Sequence, residues 1–378
     1  MKIKENKKSN FNLTYFITFF LVGVICGVGM IYYLDSVFEE YGFLLSLAFK
    51  LWIFVAAYYV QMIIHELGHL VAGLLSGYKF GSFRAGSVML VNEKGRIKIK
   101  LQKIAGTGGQ CLMTPPPMVD GKFPFVFYNL GGVLMNVLTL PLCVLWLQNA
   151  IGKPLSMAFS VTMFFSGLIV ALTNGIPLKL GMINNDGSNI RELRRNKEAR
   201  IVFHNQFMML DELRKGVRLS EMPKDWFAMP SDEGLKNSIA ASGAVQRVSW
   251  LMDSGEQDEA LAIIDRLLCA DTALIGLHKS LLICEKTTVL LIRGGADEEV
   301  RALISDKQMA TFFKQMKDNV TVTRTQYAIA LLLDKDKKVA KERLAHFEKC
   351  AKTHPYPVEI IGERELIAKI ENAARIGD

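Results

Sequence analysis

The sequence predicts a membrane α-helical protein with about four transmembrane helices and a cytosolic-side β-hairpin region, followed by an all-α soluble domain. Half of the 378 residues are hydrophobic, and the mean hydropathy is positive, which is high for a soluble protein. The hydrophobic residues concentrate between Phe11 and Leu180, and the remainder has the composition of an ordinary soluble domain. We therefore divide the chain into a polytopic membrane core, 1–190, and a cytosolic helical domain, 191–378.

Four apolar stretches are long enough to cross about 30 Å of hydrocarbon as helices. They cover roughly 12–34, 43–76, 123–149 and 155–180. The first could instead be a signal peptide, but it is longer than the usual cleavable core and no A-x-A cleavage site follows it. We therefore expect a permanent first span.

The basic residues predict how these spans are oriented. Lysines precede the first span, and basic residues are frequent in the 77–122 connection and after the fourth span, whereas the link after the first span is acidic. Under the positive-inside rule both termini then lie in the cytoplasm. We expect a multi-pass protein of the cell membrane, of the bacterial plasma-membrane type. The formal net charge of +8 reflects this topology, and no nucleic-acid partner is expected.

The six cysteines do not occur in pairs with the spacing of a known site. There is no C-x-x-C, so the sequence predicts neither a disulfide framework nor a thiolate zinc site. A reducing compartment fits this pattern.

The 77–122 connection contains a predicted β-hairpin. Its segment "VMLVNEKGRIKIKL" alternates on both sides of an Asn-Glu-Lys-Gly turn. An extended edge at the cytosolic membrane surface could pair with an unfolded peptide strand. A hairpin that only caps the helix bundle fits the same pattern.

The C-terminal half resembles degenerate tetratricopeptide-like helical hairpins. "GEQDEALAIIDRLL" (255–268) and "KKVAKERLAHFEKCAKTHPYP" (337–357) carry apolar residues at helical spacing, but no clean 34-residue period is present. Such a domain either recruits a protein partner or only stabilises the rest of the chain.

The second apolar stretch carries the motif H-E-x-x-H within "QMIIHELGHLVAGLL". On a helix His65 and His69 lie four residues apart on one face, close enough for both imidazoles to ligate one zinc ion. Glu66 is turned by about 100° and could take a proton from a water on that ion. The alternative is a pair of core histidines, but it must explain three costly polar groups in one membrane span.

A catalytic zinc ion needs a third protein ligand. The fourth span ends in "LTNGIPLKLGMINNDGSNI", where Asn174 and Pro177 interrupt the helix and Asp186 follows. The second and fourth spans both run towards the cytosol, so Asp186 emerges on the side of His65 and His69. From the residues alone, a ligand and a turn residue are equally compatible with Asp186.

These motifs together resemble the site-2 protease family of intramembrane zinc metalloproteases. The resemblance rests on H-E-x-x-H, on the Asn-x-x-Pro…Asp-Gly element at the end of a later span, and on "NLGGVLMN" in the span between them. It covers most of 60–190. It implies a Zn²⁺ cofactor with His65, His69 and Asp186 as ligands and Glu66 as the general base.

The resemblance also implies roles for residues around the metal. Asn136 and Asn174 would help to hold the substrate backbone or its developing oxyanion, and Pro177 and Gly187 would shape the site. The family usually separates the proline and the aspartate by only a few residues, whereas eight lie between them here. Glu192 is the alternative third ligand.

We expect a zinc-dependent intramembrane endopeptidase. Its partners would be the lipid bilayer, a membrane-embedded protein or hydrophobic peptide as substrate, and a protein partner for the C-terminal helical domain. The alternative is a non-catalytic membrane scaffold with a structural metal site, which would have no need of Glu66. A transporter is less well supported, because four spans without internal symmetry offer little material for alternating access.

Overall fold

The computed structural model describes residues 23–377, with gaps at 25–26, 30, 33, 36–41, 94, 102–107, 178 and 181–182. The chain divides into two compact units at residue 194, close to the predicted boundary at 190. The first unit contains the apolar helices and the strands. The described residues of the second unit, 195–378, form helices and connecting segments, with no strand among them.

Three helices of the first unit are long and apolar enough to cross a membrane: α1 (Phe43–Leu75), α2 (Phe125–Asn149) and α3 (Pro154–Gly175). They match the second, third and fourth predicted spans. The first predicted span, 12–34, lies largely outside the described residues, so the described part of the chain holds three such helices and not four.

Helix α3 ends five residues before the predicted end of the fourth span. Ile176 takes an extended conformation with φ −77° and ψ 126°. The following Pro177 disfavours the helical conformation at the residue before it, and it also lacks a backbone N–H. The helix therefore stops at Gly175.

The connection between α1 and α2 forms a four-stranded antiparallel sheet, which is larger than the predicted hairpin. Its strands are β1 (Lys79–Ala85), β2 (Val88–Glu93), β3 (Arg96–Leu101) and β4 (Gly109–Thr114), in the order β3-β2-β1-β4. The predicted hairpin is β2–β3, paired from Val88 with Leu101 to Glu93 with Arg96. Two further strands join it, because β1 pairs with β2 on one side and with β4 on the other. Among the described strands β4 lies at an edge of the sheet, and it packs against α1.

A two-stranded hairpin follows α3 and returns the chain to the helices. It consists of β5 (Lys179–Leu180) and β6 (Ile183–Asn184), and helix α4 (Asp186–Arg195) begins directly after it. Its two strands lie in the interval between Pro177 and Asp186.

The second unit is a set of packed helices, in which a long link, 216–237, joins the first two α-helices. Its α-helices are α5 (Lys197–Lys215), α6 (Ser238–Asp253), α7 (Gln257–Cys269), α8 (Gly276–Arg293), α9 (Asp297–Ile304), α10 (Lys307–Gln315), α11 (Val320–Ala328), α12 (Lys337–Lys352) and α13 (Glu359–Gly377). Short 3₁₀ helices lie at Leu219–Glu221, Lys224–Phe227 and Gly234–Lys236, and a π-helical turn at Ile329–Leu333 follows α11. Two apolar clusters form the core. One includes Leu251 and Ile264, and the other includes Phe347 and Ile370.

Helices α1 and α2 approach each other through glycine backbones. A Cβ atom on Gly68 would overlap the carbonyl group of Gly131, and one on Gly131 would overlap Gly68 and lie 2.6 Å from the Cβ of Ala72. Small residues at such a crossing allow two apolar helices to pack closely in a membrane. This contact sets the distance between the helix that carries H-E-x-x-H and the helix behind it.

We predict that Gly131→Val destabilises the first unit. The added side chain must displace the α1 backbone, and overpacking of this kind costs about 1–3 kcal/mol. Thermal unfolding of the detergent-solubilised chain measures the effect. Gly42→Ala is the control, because a Cβ atom at Gly42 meets nothing within 4 Å. Equal stability of the two variants would contradict this account of the crossing.

We also predict that acid destabilises the second unit through His278 on α8. Burial lowers the pKa of His278 to about 4, below the value of about 6.5 for an unfolded histidine. The unfolded state therefore binds the proton first, so the contribution of neutral His278 is complete above about pH 6.5 and is lost progressively down to about pH 4. The slope is at most about 1.4 kcal/mol per pH unit.

Hydrogen exchange of the α8 amides, followed by mass spectrometry at about pH 7 and about pH 5, tests this dependence. His278→Gln should reduce the difference in protection between the two pH values. The neighbouring Lys279→Gln is the control and should leave the difference unchanged, because it keeps His278 in place. A pH dependence that persists in His278→Gln would refute the assignment.

Candidate metal centre

The two histidines of H-E-x-x-H lie on α1, one helical turn apart, and both face into the first unit. His65 is 6% exposed and His69 is 7% exposed. Their Nε2 atoms are 3.2 Å apart, because positions i and i+4 of a helix share a face. The two ring nitrogens that could bind an ion are therefore already adjacent.

Asp186, the first residue of α4, completes a group of three. Its Oδ2 lies 3.0 Å from Nε2 of His65 and 3.4 Å from Nε2 of His69. The ligand atoms of the three residues all lie within 4.8 Å of one another, and Glu192 does not belong to this group. Sequence reasoning had left Asp186 and Glu192 as alternatives, and the geometry favours Asp186.

Asn185 fixes the chain immediately before this aspartate. Its Nδ2 donates to the carbonyl oxygens of Thr173 at 2.7 Å and Ile176 at 2.6 Å. Its Oδ1 accepts from the backbone N–H of Ser188 at 2.9 Å. One side chain thus satisfies both the C-terminal carbonyls of α3 and an N-terminal amide of α4.

Gly187 permits a close approach at the same point. A Cβ atom there would overlap the carbonyl group of Gly175 and lie 3.0 Å from the nitrogen of Pro177. The start of α4 is therefore packed directly on the end of α3. This contact and the Asn185 hydrogen bonds place Asp186 next to the histidines, although eight residues separate it from Pro177 in the sequence.

The other ring nitrogen of each histidine is held by a hydrogen-bond acceptor. Nδ1 of His69 lies 2.8 Å from the carbonyl oxygen of Tyr128, which can only accept, so Nδ1 carries the hydrogen. Nδ1 of His65 lies 2.7 Å from Oδ1 of Asn136, whose Nδ2 donates to the backbone and side-chain oxygens of Gln61. In the neutral imidazoles the lone pair is then on Nε2, and both Nε2 atoms lie next to the carboxylate of Asp186.

This arrangement fits a bound cation. Three electron-pair donors, two Nε2 atoms and one carboxylate oxygen, face one another at 3.0, 3.2 and 3.4 Å. Ligands held about 2.0 Å from a tetrahedral ion are about 3.3 Å apart, which matches these separations. Hydrogen bonds from Nδ1 to oxygen acceptors are also the usual support of metal-binding histidines.

Glu66 lies beside the sheet. Its side chain is partly buried, and a Cβ atom on Gly109, at the start of β4, would lie 2.6 Å from Cγ and 2.8 Å from Oε1 of Glu66. The guanidinium group of the buried Arg84 on β1 interacts electrostatically with this carboxylate. Glycine at the start of the edge strand therefore leaves room for the glutamate next to the strand backbone.

The two asparagines predicted to bind substrate occupy different environments. Asn136 is fully buried behind His65 and contacts Gln61 as described above. Asn174 is partly buried near the end of α3, and its Nδ2 donates to the carbonyl oxygen of Val170 at 2.9 Å. Contact of either residue with a substrate remains a prediction.

Sequence reasoning missed Gln61, Tyr128 and Asn185. Gln61 is fully buried and donates to the carbonyl oxygen of Met163 on α3 at 2.9 Å, so it joins the three helices. The signal for Gln61 was its place four residues before His65, on the same helix face. No signal in the sequence identifies a backbone carbonyl such as that of Tyr128 as the partner of His69.

We predict that Asp186→Ala strongly weakens zinc binding, whereas Glu192→Ala does not. The first variant removes one of three donors, which should cost at least the roughly 10- to 100-fold that loss of an outer contact causes. Zinc content after dialysis against a competing chelator, measured by mass spectrometry, compares the variants. Zinc loss in Glu192→Ala with retention in Asp186→Ala would reverse the assignment of the third ligand.

Comparisons of the chain with protein-family models, with curated proteins and with solved structures found no match. The function is therefore inferred from the residues and geometry of the metal centre.

Proposed function

We propose that this protein is a zinc-dependent intramembrane endopeptidase that hydrolyses a peptide bond in a transmembrane segment or hydrophobic peptide precursor. The observation that supports it best is the convergence of His65, His69 and Asp186 within a helix bundle of membrane-spanning length. Glu66 adjoins the first ligand. A group of this composition has the donors and the base that hydrolysis of a peptide bond requires.

Zinc is the ion that these donors favour. Two neutral imidazoles and one carboxylate are the ligands of many catalytic zinc sites, in which three protein ligands leave a fourth position open. Magnesium and calcium prefer oxygen ligands only. A structural zinc site normally has four protein ligands, so a three-donor group favours catalysis over a scaffold role.

The chemistry then divides between the ion and the chain. A zinc ion at this position would acidify a water molecule and polarise the substrate carbonyl group. Glu66 takes up the proton of the attacking water and delivers it to the leaving amine, as a general base and then a general acid. Asn136 and the carbonyl oxygen of Tyr128 keep the imidazoles in the orientation that the reaction needs.

The edge strand β4 offers a binding surface for the substrate. A transmembrane helix must unwind locally before its peptide bond is accessible, and the unwound segment loses its internal hydrogen bonds. An extended peptide paired with an edge strand recovers part of them. Because Glu66 contacts Gly109 at the start of β4, a peptide bound there would pass next to the base.

We predict that Glu66→Gln abolishes proteolysis while zinc binding persists. Loss of a general base typically reduces the rate by about 10²- to 10⁴-fold, and the three metal donors remain. Membranes that contain the wild type or the variant are compared by mass spectrometry of newly formed N-termini, and zinc content is measured in parallel. Glu93→Gln is the control, because Glu93 lies on β2 and pairs with Lys98 and Lys100.

The same comparison separates the protease from the scaffold. New N-termini that appear equally with wild type and Glu66→Gln, while zinc stays bound in both, would exclude catalysis by this centre. The site would then be a structural metal site.

A further inference from the structure

A second group of potential ligands lies in the helical unit, far along the chain from H-E-x-x-H. It comprises Asp318, His346 and Cys350, whose ligand atoms all lie within 4.8 Å of one another. His346 and Cys350 are four residues apart on α12 and share a face of the helix. Asp318 belongs to the turn between α10 and α11.

Local structure holds these residues in place. Asn319 caps α11 by accepting a hydrogen bond from the N–H of Val322 at 3.2 Å, which fixes the turn that carries Asp318. On α12 the neighbouring Phe347 is fully buried, and Cys350 is 7% exposed. His346 is partly exposed, so the group opens to solvent on one side.

Three atoms crowd a single nitrogen of His346. Its Nε2 lies 3.0 Å from the carbonyl oxygen of Lys317, 3.3 Å from Oδ1 of Asp318 and 3.7 Å from Sγ of Cys350. Both oxygens can only accept, and one ring N–H can serve only one of them well. A histidine–aspartate ion pair alone therefore does not explain why the sulfur of Cys350 and the carbonyl oxygen of Lys317 also lie close to Nε2.

A shared cation accounts for all of these distances. Nitrogen and oxygen ligands about 2.0 Å from a tetrahedral ion are about 3.3 Å apart, and a sulfur ligand at about 2.3 Å is separated from them by about 3.6 Å. The separations of 3.0, 3.3 and 3.7 Å between Nε2 of His346 and the other three donors follow this pattern. The donor set of nitrogen, thiolate sulfur and oxygen favours Zn²⁺ over Mg²⁺ or Ca²⁺.

We propose that Asp318, His346 and Cys350 form a second, structural Zn²⁺ site, completed by the carbonyl oxygen of Lys317. The ion links the α10–α11 turn to α12 and so stabilises the packing of the C-terminal helices. Four protein donors leave no position for a reacting water, which distinguishes this site in kind from the centre at His65. The proposal does not depend on protease activity.

Cobalt substitution of the full chain in detergent tests this proposal. Co²⁺ bound to a thiolate gives a near-ultraviolet charge-transfer band, and the His65, His69 and Asp186 centre contains no sulfur. We therefore expect the reduced, metal-free protein to develop this band on titration with Co²⁺ and to lose it when Zn²⁺ is added.

Variants assign the band to individual residues. Cys350→Ser and His346→Gln should abolish it. Asp318→Asn, a change at an exposed turn residue, should weaken Co²⁺ binding by about tenfold or more. Cys269→Ser is the matched control, because Cys269 is an exposed cysteine outside the group, and this variant should keep the band.

Two outcomes would overturn the proposal. One is the absence of a charge-transfer band in the wild type, which would leave the group an ordinary ion pair beside a thiol. The other is a band that survives in Cys350→Ser or in His346→Gln, which would place the thiolate site elsewhere. Circular dichroism of each variant establishes that it is folded.

Discussion

The candidate metal centre depends on the close approach of α1 and α2. Their backbones meet at Gly68 and Gly131, and a Cβ atom on Gly132 would lie 2.5 Å from the ring of His65. Only at this separation can Asn136 and the carbonyl oxygen of Tyr128, both on α2, reach the Nδ1 atoms of the histidines. Glycine at the crossing therefore determines which nitrogen of each imidazole is presented to an ion.

His65, Asn136 and Gln61 form one connected hydrogen-bond network in the bundle. Gln61 accepts a hydrogen bond from Asn136, and Asn136 accepts one from His65. Gln61 also donates a hydrogen bond to the carbonyl oxygen of Met163 on α3. Buried polar groups are costly in an apolar environment unless each finds a partner, and this network satisfies them by joining α1, α2 and α3. The orientation of His65 is consequently coupled to the packing of the whole bundle, so a change remote from the ligands can alter the metal centre.

Local patterns predicted the parts of the site that depend on short spacing. The pair His65 and His69 follows from helix periodicity, and Asp186 from a motif at the end of a helix. Contacts between distant segments were not predictable in the same way. Examples are the hydrogen bonds of Asn185 to the end of α3, the position of β4 next to Glu66, and the proximity of Asp318 to Cys350 on α12. The cysteines show this most clearly: spacing along the chain indicates no thiolate site, yet Asp318, 28 positions before His346 in sequence, lies close to His346 and Cys350 in space.

In the proposed reaction the sheet and Glu66 act on the same part of the substrate, the unwound segment that contains the peptide bond to be cleaved. Unwinding a substrate helix in an apolar environment exposes backbone groups that each cost several kcal/mol when unsatisfied. Strand β4 supplies backbone partners along one edge of the unwound segment, and Gly109 allows Glu66 to lie against that strand. The position at which the substrate gains hydrogen bonds is therefore the position at which the base is available. On this basis the ease of adopting an extended conformation, more than the identity of any one side chain, would select the bond that is cleaved.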